Sequence, residues 1–189
     1  MILPIIAYGH PVLKEKAKEI DLKSEETKVL IDNMWQTMYA AHGVGLAAPQ
    51  IGKSLRLFIV DASPFKEEDP SVEDFKKVFI NPEILEETGE EWLFNEGCLS
   101  IPEVREDVSR KSTIRVQYFD ENGNQKTEEF SGLAARVIQH EYDHIEGVLF
   151  TDHLSPLRKK LINGKLKKIK EGKIRADYRM KHQLKRGKR

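Results

Sequence analysis

The sequence holds a single cysteine, Cys98, among 189 residues. No disulfide can close within the chain, which excludes the cystine-stapled secreted scaffolds and suits a reducing, cytoplasmic setting. Long apolar runs are also missing: no stretch approaches the roughly 18–20 apolar residues of a membrane span, so no membrane partner is expected. The opening MILPIIAYGH is briefly apolar, but it lacks a basic leader, contains Pro4 and runs into KEKAKE rather than a small-residue cleavage site. No secretory signal is read there. Internal repeats are absent, and so is net charge, because 31 basic and 31 acidic side chains cancel.

The cancellation hides a division. Residues 156–189 carry fifteen Lys and Arg against only Glu171 and Asp177, a balance of +13, which leaves −13 on residues 1–155. An acidic body with a basic tail asks for a polyanionic partner. A chain of this length, 39% hydrophobic and 33% charged, is expected to fold as one domain with a buried core. That domain is read as residues 1–155, with 156–189 a basic helical tail rather than a second domain.

Periodicity gives the elements. Ser24 caps a helix to about Ala41 with Leu30, Met34, Trp35 and Met38 at helical spacing, and Gly43 is expected to stop it. GVGLAAPQIG (43–52) reads as a shaped loop. LRLFIV (55–60) and VFINPEIL (78–85) read as strands around a polar surface excursion at 61–77. STIRVQYFD (112–120), the Asn122-Gly123 turn and QKTEEFS (125–131) form a hairpin. Ser131 then caps an apolar helix that Gly147 ends. Residues 156–170 have helical spacing interrupted by Gly164, and the last dozen residues are expected to fray. The fold class is α+β: antiparallel β-sheets packed around a central buried helix, with a basic C-terminal helix.

That central helix contains QHEYDH (139–144), in which His140, Glu141 and His144 fit H-E-x-x-H. Residues four apart lie one turn above each other, so both imidazoles can grip one ion with Glu141 beside it as a proton carrier. The pattern is short, and a buried helix can also hold histidines for packing alone. The extended protease form H-E-x-x-H-x-x-G-x-x-H fails: Gly147 is in place, but Phe150 occupies the last histidine position. His10, His42, His153 and His182 read as turn or surface residues. Cys98 remains, in NEGCLSIPE (95–103). A lone cysteine is most often a small buried apolar residue, yet the flanking Glu96-Gly97 and Ser100-Ile101-Pro102 describe a kinked, polar segment. A thiolate there with two imidazoles gives three protein ligands and one position for water.

GVGLAAPQIG, EGCLS and QHEYDH together, in that order, resemble the three signature motifs of the peptide deformylases, and YGHPVLKEKAKEI resembles the family's start. The likeness covers roughly residues 4–155. It implies a metallohydrolase that removes the formyl group from the N-terminal methionine of new proteins. Cys98, His140 and His144 would be the metal ligands and Glu141 the general acid/base to the metal-bound water that attacks the formyl carbon. Gln50 and the Leu99 N–H would be the oxyanion donors. Gly45 matches the closest approach of the loop to substrate, and Gly43 likewise lets backbone come near the metal. The backbones of Val44 and Gly97 would pair with an extended peptide, and Arg105 would stand at the cleft mouth. Val44, Ile101, Val137 and Ile138 would receive the methionine side chain, the last two having plain core as their other reading. Glu96 and Arg110 would pair and brace the cysteine segment. The resemblance further implies Fe²⁺, replaceable by Zn²⁺, Ni²⁺ or Co²⁺, and a monomer that docks its basic tail on the ribosome. On that reading, truncation after about residue 155 spares hydrolysis of small peptides. The rival readings are a zinc endopeptidase using the same helix, and a nucleic-acid-binding protein suggested by the tail.

Overall fold

The computed structural model describes residues 1–22, 24–174 and 176–183. Its elements are β1 (Ile5–Ile6), α1 (Glu25–Ala40), β2 (Gly45–Ala47), β3 (Leu57–Asp61), β4 (Lys76–Cys98), β5 (Ile101–Phe119), β6 (Gln125–Ser131), α2 (Gly132–Ile145), α3 (Pro156–Lys170) and β7 (Met180–Lys181). Strands β2 to β6 form one antiparallel sheet in sequence order, while β1 and β7 make a small parallel pair. The class is α+β, with α2 lying against β2, β3, β5 and β6.

The sheet is longer than hydrophobic alternation suggested. In place of strands at 78–85 and 112–120, β4 and β5 run as one hairpin whose last rung pairs Cys98 with Ile101 across the Leu99-Ser100 turn. Pro102, Val104, Glu106, Val108 and Arg110 are the buried positions on one face of β5 in this arm. Two of those five are charged, which breaks the apolar rhythm that marks a strand. Register shifts at Ile80/Glu83, Ile84/Glu86, Thr88/Glu91 and Gly97/Cys98 bend the ladder and sharpen its twist.

Three local expectations are corrected. Helix α1 is capped by Ser24, whose side chain accepts from the Glu26 N–H at 3.2 Å. Its exit turn, however, is made by His42 at φ +56° and not by Gly43. Gly43 is there for space, because a Cβ on it would sit 2.8 Å from Leu99 Cδ1. The 43–52 segment is not simply a loop: it contains β2, paired to β3, and a 3-10 turn at Ala48–Ile51. Leu46, Ala47 and Ala48 are fully buried, so their backbone groups need partners, which β3 and Gln50 supply. Ser131 precedes α2 as expected, but its side chain makes no capping bond. The 61–77 excursion is held down by buried Val72 and by Phe65 and Phe75 against the core.

The C-terminal residues also depart from expectation. Helix α3 continues through Gly164, and Ile162, Leu166 and Ile169 bury against Ile6, Leu13, Ile101, Val104, Val108 and Phe150. Residues 178–183, expected to fray, are pinned through residue 181. The Ile5 N–H donates to Arg179 O at 2.8 Å and the Ala7 N–H to Lys181 O at 2.9 Å. Residues 184–189 lie outside the described residues. A cut after residue 155 would strip a face of the core, so it is no longer expected to spare hydrolysis. No helix among the described residues is long and apolar enough to cross a membrane.

Candidate metal centre

Helix α2 is buried along most of its length, from Leu133 to Gln139 and again at Glu141, His144 and Ile145. Ala134, Ala135, Val137, Ile138 and Ile145 pack among Phe58, Val60, Phe79, Ile114 and Val116. Its remaining face turns His140, Glu141 and His144 toward the end of β4. Donor atoms of Cys98, His140 and His144 all lie within 4.8 Å of one another, and Cys98 Sγ is 3.3 Å from His144 Nε2.

The orientation of His140 is fixed from behind. Its Nδ1 lies 2.9 Å from Glu96 Oε2, and with that nitrogen donating to the carboxylate, Nε2 is left unprotonated and able to ligate an ion. Glu96 is itself saturated. Arg110 binds it through Nε at 2.7 Å and Nη2 at 3.1 Å, and Arg136 Nη1 reaches the same carboxylate at 3.1 Å. Arg110 Nη1 also meets Asp143 at 2.8 Å, and Asp143 meets His153 Nε2 at 2.7 Å. The expected Glu96–Arg110 pair is therefore present, but within a larger network. Arg136 was not foreseen, since an arginine on a helix reads as solvent-facing. It is 1% exposed, with Nη2 on Trp92 O at 2.7 Å and its guanidinium 4.4 Å from the Trp92 ring centre.

Electrostatics follow from this packing. Burial opposes ionisation of Glu96, but hydrogen bonds and charge from His140 and Arg110 outweigh it and hold the carboxyl well below the usual range. A carboxylate depressed in the fold contributes stability that is present above its unfolded value and lost as pH falls. We expect the thermal midpoint to drop as pH is lowered from about 4.5, and Glu96→Gln to flatten that dependence; an unchanged acid limb in the variant would refute the assignment. Burial alone would raise the Cys98 thiol too, but His144 and His140 hold it at about 5, so the sulfur is a thiolate at neutral pH. Glu141 goes the other way. Burial pushes it up to about 7 against the pull of His140 and His144, and its buried Oε2 has no hydrogen-bond partner.

One thiolate, two imidazoles and an unpartnered carboxylate oxygen beside them fit a single first-row divalent ion. Phe150, at the position where an extended protease motif needs a third histidine, instead lies against the His140 ring with centroids 6.0 Å apart.

The centre opens into a cleft of about 540 Å³. Gly43, Val44, Gly45 and Gln50 line one side, and Gly97, Cys98, Leu99 and Arg105 another, with Val137, His140 and Glu141 below. Gly45 is required by contact: a Cβ there would lie 2.4 Å from Glu141 Oε1. Gln50 Oε1 accepts from the Ala47 N–H at 2.8 Å, which aims its amide nitrogen at Cys98 Sγ, 3.5 Å away, and Ser100 Oγ, 3.4 Å away. Arg105 is engaged at the rim by Asn95 Oδ1, 2.9 Å from its Nε. Ile101 also lines the cleft. Ile138 does not: it is 0% exposed in the core behind α2, because it follows Val137 by one residue and a helix turns it about 100° away. Ala176, Asp177 and Tyr178 line the cleft as well, and nothing in the sequence around them signalled it.

Comparison with known proteins agrees with this geometry. The profile of the polypeptide deformylase family matches residues 2–160. The chain is 61% identical to a peptide deformylase of Christiangramia forsetii, with 96% of each chain covered. It is 58% identical to one from Flavobacterium psychrophilum, over 96% of this chain and 97% of the relative. The crystal structure of a peptide deformylase from Legionella pneumophila superposes with a TM-score of 0.80 at 40% identity, covering 90% of this chain and 96% of the other.

Proposed function

The chain belongs to the polypeptide deformylase family, and from that premise we propose that Cys98, His140 and His144 hold one divalent ion beside which Glu141, Gln50 and Leu99 act. The activity is hydrolysis of the N-formyl group from N-terminal methionine, releasing formate. The observation that carries the site assignment is the convergence of one sulfur and two ring nitrogens within 4.8 Å. When bound, such an ion supplies a water whose pKa falls toward about 7 and an electrophile for the formyl oxygen.

The remaining work belongs to the protein. Glu141, poised near neutrality, takes a proton at its free Oε2 and delivers it to the departing methionine nitrogen. As the formyl carbon becomes tetrahedral, the Gln50 amide and the Leu99 N–H meet the growing charge on its oxygen. The long contacts of Gln50 Nε2 to sulfur and to Ser100 leave it ready to exchange partners. Removing one such donor costs about 10²–10³ in kcat, so Gln50→Leu is expected to lose that much with metal content intact; a kcat within threefold of wild type would exclude the role. The peptide lies between edge strand β2 and the end of β4, pairing with Val44 and Gly97 as an added strand. The Val44 carbonyl already accepts from the Asp61 N–H at 2.9 Å, so pairing there falls to its N–H. Val44, Ile101 and Val137 receive the methionine side chain, and Arg105 stands at the mouth.

Fe²⁺ is the ion we assign, with Zn²⁺, Ni²⁺ or Co²⁺ able to occupy the same donors. We place the chain in the cytoplasm as a monomer and read residues 156–189 as a basic helical tail rather than a second domain, with α3 packed on the catalytic domain. Through the exposed lysines of α3 and the basic residues beyond it, the chain docks on the ribosome, the polyanionic surface at which N-formylmethionyl nascent chains emerge. Sedimentation with ribosomes should weaken steeply as salt rises; salt-insensitive binding would contradict this. The central test is an assay of formyl-Met-Ala-Ser beside its unformylated counterpart. Formate released from the first, with the second untouched, supports the reading, and cleavage of an internal peptide bond would support the endopeptidase instead.

A further inference from the structure

The turn that carries Leu99 is held by the two ends of the chain, and those ends hold each other. Tyr178 Oη donates to the Leu99 carbonyl at 2.8 Å. On the next residue, the Ser100 carbonyl accepts from the Tyr8 N–H at 2.9 Å. Tyr8 follows β1 and Tyr178 precedes β7, and the pairing of Ile5 with Met180 and Ile6 with Lys181 locks the two segments in register. Met180 adds an apolar anchor against the cluster containing Ile6 and Ile101. On its other side the turn meets the 43–45 loop, where Gly43 leaves room for the Leu99 side chain.

We propose that Tyr178 is a positioning residue for deformylation: its hydroxyl, carried into the cleft wall by the β1–β7 pair, fixes the Leu99–Ser100 turn and so aims the Leu99 N–H at the reacting carbonyl oxygen. The inference rests on the reading of Leu99 as an oxyanion donor. It gives the segment from Tyr178 to Lys181 a role in catalysis distinct from any charge-driven docking of the basic tail.

The test uses the full-length, metal-loaded enzyme and the Tyr178→Phe variant, which keeps the ring and removes one oxygen. An interaction that matters only in the transition state lowers kcat and kcat/KM equally and leaves KM alone. We expect both to fall about 3–10-fold, the range for one lost neutral hydrogen bond, with metal stoichiometry unchanged. Tyr178→Ala, which also removes the ring from the cleft wall, should add a rise in KM. A Tyr178→Phe enzyme that matches wild type, or one whose KM rises while kcat holds, would show that Tyr178 is only a wall and overturn the proposal. Wild-type protein without deformylase activity would instead sink the functional reading on which it stands.

Discussion

Replacing Glu141 with glutamine is expected to leave the chain folded and metal-loaded while kcat falls by about 10²–10⁴, the usual worth of a positioned general acid/base. The side chain keeps its shape, so the room that Gly45 leaves beside its Oε1 by lacking a Cβ is still filled. What is lost is the capacity to accept and return a proton. The same substitution should not lower stability. Burial raises the folded pKa of Glu141 to about 7 from 4.5. Between those values the folded state binds the extra proton, so the group's contribution declines as pH rises through that window, and above it a buried, unpartnered charge is carried at a cost. Glutamine removes the charge. In protein stripped by a chelator, the thermal midpoint of Glu141→Gln should equal or exceed that of wild type at pH 8. Catalysis retained within tenfold would remove Glu141 from the mechanism, and a marked fall in the midpoint would mean that its role is structural.

Cys98→Ser should be more drastic, because it acts on metal retention. The wild-type sulfur is a thiolate through the neighbouring His144 and His140, whereas a serine hydroxyl remains neutral there and is a harder, weaker donor for a first-row divalent ion. Two imidazoles alone make a poor site. Metal per chain, measured after anaerobic purification, should drop from near one toward zero, and nearly all hydrolysis of formyl peptides should go with it. The fold should survive, since Cys98 is a small residue at the end of a hairpin whose rungs continue on both strands. A serine variant with a full equivalent of metal and normal turnover would refute the ligand assignment.

Behind the centre runs a buried network that reaches it through His140. Glu96 orients His140, Arg110 and Arg136 saturate Glu96, and Asp143 and His153 extend the chain to the surface. Such partners tune ligands by fixing ring orientation and basicity. They also explain why β4 and β5 must run so far. Glu96 lies on β4 and Arg110 on β5, and only the long hairpin brings both under the same helix.

How much of this was legible beforehand varies by element. The hairpin across Asn122-Gly123, with β6 over the expected residues, came from alternation and a turn dipeptide, both local. Helices α1 and α2 came from spacing. The distal β4–β5 arm did not, because its buried row includes Glu106 and Arg110, and a charged residue is indistinguishable by sequence from an exposed one until its partner is known. Ile138 misled for the converse reason: an apolar residue beside the motif has an identity, but its direction depends on what the helix packs against.

The sequence by itself determined the chemistry. Its H-E-x-x-H spacing, its one thiol and its glycine-rich loop fixed which atoms were available and which reaction they suit, because those properties belong to residue types and to helical geometry. Only the tertiary structure decided which atoms meet. It put the Cys98 sulfur on the His140–His144 face, buried Arg136 against Glu96, and turned the C-terminal segment back so that Tyr178 reaches Leu99. Each of these joins positions distant in the chain, where the outcome depends on how the sheet bends and which surfaces remain to be covered, and no local pattern encodes that.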